Sequence, residues 1–262
     1  MGQTPQKITK QWADGPFPLM ETPRKKRGIA DIKKETGAIR AATEMCLIHN
    51  VIIRVLNCIH LQAPNVKLEK DITDFTTFMH AFIILLHEHH SSEEKHAFPL
   101  LEADIGTPGI MEKNVAQHHA FYPGLDRFED HVKLLREGKE TFDGAKVQKL
   151  LDDFAPILVQ HLSDEIGTFE ELETFGDKID WKKWSKKIGE VAVKAAETDH
   201  QIPIVLTNMD IPFEKPFHSS SWPPFPWIAA VMFRWVYLPR HKGAWRFSCC
   251  DQYGKPKQLD FV

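Results

Sequence analysis

Four short patches of this 262-residue chain carry side chains able to ligate metal: His49-Asn50, His89-His90-Ser91-Ser92-Glu93-Glu94, Gln117-His118-His119 and His161-Leu162-Ser163-Asp164-Glu165. In two of them a histidine is followed four residues later by a glutamate. On a helix that spacing puts imidazole and carboxylate on one face, where both reach a single ion. Repeated from several helices, it is how a bundle builds a carboxylate-bridged two-metal site in its core. Mixed nitrogen and oxygen ligands suit iron, manganese or zinc, and the lack of a nearby thiolate removes the case for an iron–sulfur cluster.

The elements that must position these residues follow from periodicity. A first helix is predicted from about residue 30 to 61, with Ile39, Ala42, Met45, Cys46, His49, Ile52, Ile53, Leu56 and His60 recurring at threes and fours. A second is predicted from an N-cap at Asp71 through Phe75, Met79, Phe82, Leu86, His89, Glu93 and Ala97, with Pro99 ending it. A third runs past His118 to about Leu135, with a kink or break expected at Pro123-Gly124. The fourth presents Val147, Leu150, Leu151, Phe154, Leu158, His161 and Glu165 on one face, kinks at Pro156 and closes at Phe175-Gly176. These make an all-α, up-down-up-down four-helix bundle. One more amphipathic helix, residues 181–198, and a Pro- and Trp-rich tail follow. The organisation expected is a mobile N-terminal arm over residues 1–28, a metal-binding bundle over 29–176, and an extension over 177–262 that packs on the bundle.

Burying His and Glu on an apolar stripe costs free energy unless they are paired or coordinated. One such histidine is ordinarily satisfied by hydrogen bonds. Four helices each offering one at comparable depth argue for a metal. In the second helix both His89/Glu93 and His90/Glu94 are valid pairs. The face defined by Phe75, Met79, Phe82 and Leu86 centres nearer Glu93, which selects His89 and Glu93 and leaves His90 and Glu94 flanking the site or in solvent.

Composition narrows the remaining classes. A net charge of −3 without a sustained basic face gives no case for nucleic acid. The polar start has no apolar signal segment, Cys46 and Cys58 stand too far apart on one helix to bridge, and Cys249-Cys250 are adjacent, so a reducing cytoplasmic setting is expected. Arg24-Lys25-Lys26-Arg27 is read as a solvated run rather than an import or phosphate-binding signal. The most apolar window, residues 222–238, contains Pro223, Pro224, Pro226 and Arg234 and is shorter than the ~20 residues of a spanning helix. A helix docked on the protein is expected there, with surface membrane contact the lesser option.

At these residues the chain resembles the hemerythrin-like, or HHE cation-binding, family, and its extension resembles that of fungal members. The matching features are His49-Asn50 with Arg54 and Leu56-Asn57, the run His89-His90-x-x-Glu93-Glu94 followed by Phe98-Pro99-Leu100-Leu101-Glu102, the His118 region, and His161-Leu162-x-x-Glu165, together covering roughly residues 30–175. The resemblance implies a four-helix bundle holding two non-haem iron ions that bind oxygen or related small ligands. Carried over by position, the ligands would be His49, His89, Glu93, His118, His161 and Glu165, with the two glutamates bridging.

The chain departs from the oxygen-carrier pattern on the third helix. Carriers place two histidines four apart there, whereas Asn114 and Tyr122 flank His118 at that spacing. One histidine is missing, leaving an open metal position or a phenolate ligand from Tyr122, unless Tyr122 is a core residue with its hydroxyl bonded locally. The expected function is therefore oxygen or redox sensing, iron handling or detoxification. The alternative is a di-iron oxidoreductase acting on a small organic molecule, with residues 222–245 as a lid. A module with a purely structural metal is a third reading.

Overall fold

The computed structural model describes residues 12–195, 197–209 and 227–262. A short helix α1 (Pro23–Lys26) leads into α2 (Gly37–Gln62), α3 (Glu69–Ser92), a π-helical turn (Glu93–Ala97), α4 (Phe98–Ile105), α5 (Glu112–Arg136), α6 (Gly144–Asp152) and α7 (Ala155–Glu171). The extension supplies α8 (Trp181–Ala195), α9 (Gln201–Leu206) and α10 (Trp227–Met232), the last followed by π- and 3₁₀-helical turns to His241. Among the described residues no strand forms beyond the single bridge Cys250–Pro256.

α2, α3, α5 and α7 form the expected antiparallel bundle. Thr36, which caps α2, meets Glu173 beyond the end of α7, and Met111 before α5 is tied to Glu102 in α4, so these four termini share one end. At the opposite end Gln62 of α2 binds the Phe247 carbonyl, Asp71 near the start of α3 binds Arg246, and Gly144 of α6 abuts Ala63. A Cβ on Gly144 would lie 2.1 Å from the Ala63 carbonyl oxygen, so only glycine permits that approach. By length and composition α2 could cross a membrane, but it forms the bundle's centre and carries buried His49, Asn50, Arg54 and Asn57.

Two proline expectations are corrected and a third is narrowed. Pro99 does not end the second helix. The π-turn hands over to α4 with Pro99 in its first turn, where a missing N–H costs little, and the stop comes at Gly106 with φ +76°. Pro123 does not break α5, which stays helical from Glu112 to Arg136. Pro156 starts a helix instead of kinking one: the fourth segment is two helices, α6 and α7, separated at Asp153-Phe154, with Pro156 in the first turn of α7.

Residues 12–28, which fall in the segment expected to be an arm, run along α2. Asn57 accepts from the Phe17 N–H and donates to the Ala13 and Phe17 carbonyls, while Asn50 does the same with Met20. Asparagines that look like site residues in sequence thus hold this strap. The basic run is not simply solvated, because Arg24 is buried and donates two hydrogen bonds, of 2.7 and 2.8 Å, to the Glu35 carboxylate. Arg27 reaches Glu170 and Glu173.

The apolar interior is divided in two. A large cluster built on Ile52, Ile53, Leu56, Phe75, Phe78, Phe82, Phe121, Phe128, Phe154 and Phe247 fills one end. A smaller one built on Ala42, Cys46, Phe98, Leu101, Met111, Phe169 and Trp184 fills the other. Every metal-ligand candidate stands between them.

Candidate metal centre

Each main helix crosses from one apolar cluster to the other at a polar side chain. His49 of α2 lies between Cys46 and Ile52, His118 of α5 between Met111 and Phe121, His161 of α7 between Leu158 and Ile166, and Glu93 between Leu86 and Ala97. Together these form a buried polar layer. The π-turn begins at Glu93; π-turns recur at functional sites because one extra residue rotates the following helix face.

Two groups of ligand atoms converge in the layer. His49, His89, Glu93 and Glu165 make one, and His90, Glu93, His118 and His161 the other, all ligand atoms within 4.8 Å inside each group. Glu93 belongs to both. All six sequence-derived candidates are brought together. The exclusion of His90 is corrected: it is 0 % exposed and sits in the second group, its ring 4.5 Å from that of His118 and 5.4 Å from that of His161. Glu94 does flank the site, with its side chain 29 % exposed.

Outer partners fix how three imidazoles face. His49 donates from Nδ1 to the Leu162 carbonyl at 2.9 Å, His118 from Nδ1 to Glu94 at 2.6 Å, and His161 from Nδ1 to the Gln117 side-chain carbonyl at 3.4 Å. Gln117 is itself anchored on Asp164 at 2.7 Å. With the proton on Nδ1, each Nε2 presents a bare lone pair to the centre, as in metal sites with carboxylate- or carbonyl-anchored histidines. His118 and His161 then aim two lone pairs at one another across 3.1 Å, and His49 Nε2 stands 3.0 Å from His89 Nε2.

These separations fit a shared cation. Two nitrogens bound at right angles about 2.1 Å from one ion stand about 3.0 Å apart. Both carboxylate oxygens of Glu93, both of Glu165 and both ring nitrogens of His90 are buried without a hydrogen-bond partner among the described residues. Glu93 lies 3.1 Å from His89 and 3.6 Å from His118, and Glu165 lies 3.3 Å from His49 and 3.8 Å from His161. Unpaired buried carboxylates are expensive. Here they stand among the histidines of the two groups, where a cation could compensate them.

The lowered histidines and Glu165 agree with metal binding there, while the raised Glu93 would have to give up a proton on binding a cation. Burial, reinforced by neighbouring imidazoles, pushes His89 and His90 well below the usual histidine range, and burial brings His161 to about 3 despite Glu165. Burial also lowers His118, against the opposing pull of Glu94. Burial raises Glu93, with Glu165 and Glu94 adding to it. Burial pushes Glu165 up as well, but contact with His49, together with His161 and His89, holds it down to about 2. His89, His90, His118 and His161 are thus held towards the neutral form that a metal requires.

On α5 the residues flanking His118 at four-residue spacing stay out of both groups. Asn114 is buried and accepts from Thr168 at 3.2 Å. Tyr122 donates from its hydroxyl to Glu94 at 3.3 Å, and burial with the nearby carboxylates keeps it a phenol. Beside His118, where α5 offers no second histidine at four-residue spacing, stands His90 of α3.

Of the segment expected as a lid, Trp222 and the residues through 226 lie outside the described residues. Trp245 does not serve as one. It is buried with Phe247, whose ring lies 4.7 Å from Phe75, and Phe75 precedes His89 by 14 residues, or about 21 Å of helix. What packs across α2, α3 and the π-turn is α8, whose Trp184 donates to the Ala97 carbonyl at 3.1 Å. His89, with 10 % of its side chain exposed, is the most accessible of the ligand candidates.

Comparison with known proteins agrees with this architecture. The Hemerythrin HHE cation binding domain model matches residues 42–172. The "Dimeric xanthone biosynthesis cluster protein R11" of Cryptosporiopsis sp. (strain 8999) is 35% identical over 259 residues, covering 97% of this chain and 95% of that protein. No solved structure matches. With a family match spanning the whole polar layer and a fungal relative matched across bundle and extension alike, the chain belongs to the hemerythrin HHE cation-binding domain family.

Proposed function

We propose that residues 29–176 hold two non-haem iron ions, and that the protein binds dioxygen or a related small ligand in redox or oxygen sensing, iron handling or detoxification in the cytoplasm. The observation that carries this reading is the pair of four-residue groups sharing Glu93. Manganese or zinc could occupy the same donors. When bound, iron supplies reversible electron exchange and small-ligand binding.

The chain's own residues set the terms. His49, His89 and Glu165 would hold one ion, His90, His118 and His161 the other, and Glu93 belongs to both groups. Leu162, Glu94 and Gln117 hold three imidazoles in the ligating tautomer. The apolar clusters above and below exclude water, which strengthens every charge interaction inside. Four free, buried cysteines suit a reducing compartment.

A second reading is supported by the fungal relative, whose name places it in a biosynthesis cluster and which matches the extension as well as the bundle. On that reading the chain is an oxidoreductase acting on a small organic molecule, and residues 177–262 help admit it. One experiment separates the two. Metal analysis should give two irons per chain, and the reduced protein should be exposed to oxygen while its visible spectrum is followed. A persistent, reversible colour change supports binding or sensing. Transient colour with net oxygen consumption supports oxidase or oxygenase chemistry. One zinc and no iron after aerobic, iron-replete expression would sink the di-iron reading.

A further inference from the structure

The helical segment that begins with α10 is turned inside out. Trp227, Ile228, Val231, Met232, Trp235 and Val236 recur at the spacing of one helix face, and all six are exposed, Trp227 by 77 % and Trp235 by 76 %. The segment is fastened to the protein from its other side, by buried Phe233 and Leu238 and by Arg234, which donates to the Gln252 carbonyl and lies over the Tyr253 ring. A contiguous apolar stripe of this kind on a water-soluble surface marks an interaction site.

Two observations identify what it fits. First, the stripe combines aliphatic side chains with two exposed tryptophans, the residue that concentrates at the boundary between lipid headgroups and acyl chains. Second, its charge is one-sided. From Lys215 to Cys250 the chain has no Asp or Glu, but it has Lys215, Arg234, Arg240, Lys242 and Arg246. Arg240 is matched by Asp199, and Arg246 by Asp71 and Asp74. Lys242 is exposed and has no carboxylate within ion-pair distance among the described residues, which leaves one uncompensated cationic group following the apolar stripe. Long basic side chains at such an edge reach headgroups while their stems stay in apolar surroundings.

We propose that residues 227–242 seat the protein on an anionic membrane surface, with Trp227, Ile228, Val231, Met232, Trp235 and Val236 in the headgroup–acyl boundary and Lys242 on a lipid phosphate. The segment lies in the interface and does not span it. This inference is independent of which small ligand the metal layer takes.

The test is co-sedimentation of the full-length, metal-loaded protein with vesicles of phosphatidylcholine alone and of phosphatidylcholine containing about a quarter phosphatidylserine. Binding to the anionic vesicles is expected to be about fivefold tighter, the factor for one basic residue near the surface, and to weaken in high salt. Trp227→Ser combined with Trp235→Ser should abolish binding while leaving helicity by circular dichroism and iron content unchanged. Val231→Asp keeps both tryptophans, so loss of their quenching by brominated lipid reports loss of insertion directly. Lys242→Gln should reduce only the preference for anionic lipid. Absence of wild-type partitioning into either vesicle overturns the proposal, as does equal binding by wild type and the double-tryptophan variant. Equal affinity for neutral and anionic vesicles overturns the anionic assignment. A concentration-dependent dimer in sedimentation velocity that only the tryptophan variant abolishes would give the stripe to a second copy of the chain instead.

Discussion

Two regions of this protein invert the usual partition of side chains, and they do so in opposite ways. In the bundle, two glutamates and five histidines are withdrawn from water; on the α10 segment, six large apolar side chains are presented to it. The buried set converges: nitrogens and oxygens from four helices meet within a few ångströms, anchored from behind by Leu162, Glu94 and Gln117. The exposed set runs parallel, as a surface that fits another surface. Convergence suits a point charge, and a stripe suits an extended partner. The contrast implies that changes in the layer should act on metal content, and changes in the stripe should leave the isolated protein almost untouched.

The largest effect is expected from the carboxylates. Replacing Glu165 or Glu93 by Ala should remove essentially all bound iron, because Glu93 belongs to both groups and Glu165 stands within 4 Å of His49 in one and of His161 in the other. Metal-loaded wild type should melt about 10 °C above chelator-treated protein, since an ion present at a thousand times its Kd adds about 4 kcal/mol. Neither variant should show that gap. Calorimetry with and without chelator, beside elemental analysis, checks both. A variant that keeps two irons would break the comparison at its buried end.

His90→Ala sharpens the same comparison. It should halve the iron, emptying the group with His118 and His161 while sparing the one with His49 and His89. His119→Ala, at the adjacent exposed position on α5, should change nothing. Equal iron content in the His90 variant and wild type would return His90 to the role of a core residue.

That His90 was not selected from sequence has a physical explanation. At 100° per residue, His89 and His90 lie about 50° to either side of the line through Phe75, Met79, Phe82 and Leu86, so the stripe admits both. Pairing each histidine with a glutamate four residues on forced a choice that the layer does not make, because Glu93 stands near the middle of the face and serves both groups. The six other candidates were legible because each interrupts an apolar stripe at matching depth. Bundle topology was legible for the same reason. The helix joints were not, since a proline such as Pro123 or Pro156 is read locally as a break, whereas its outcome depends on which turn of which helix it enters. Nor could spacing show that Asn50 and Asn57 hold residues 13–20 instead of serving the centre.

A moderate effect is expected at the joint between bundle and extension. His80 of α3 stacks edge-on against His200 beside α9, their ring centroids 5.4 Å apart, and His200 stacks on His241. Burial lowers His80 to about 4, helped by Arg136 and His200 and opposed by Glu129 and Glu197. Its folded pKa therefore lies below its unfolded value near 6.5, and between those values the unfolded chain binds more protons. Stability should be full above about pH 6.5, decline as pH falls towards 4, and level off below. Because His80 is half-buried and screened by solvent, its share is about 1 kcal/mol and not the three or more of a fully buried group. Denaturant titrations across that window should show a shallower pH slope in His80→Asn; an unchanged slope would assign the acid sensitivity elsewhere.

The smallest effect is the one most informative about the stripe. Trp235→Ser should alter the stability of the purified protein by no more than about 0.5 kcal/mol, because the indole is 76 % exposed and its loss opens no cavity. Phe233→Ser, two residues away but buried, should cost about 3 kcal/mol as the hydroxyl replaces a packed ring. Chemical denaturation of the two variants at micromolar concentration separates these outcomes. If Trp235→Ser is as damaging as Phe233→Ser, the stripe is part of the folded core or of an obligate pairing, and its outward apolar face would no longer require a partner surface. If the difference holds, the tryptophan contributes nothing to the isolated fold, and its presence there must be explained by what the face meets.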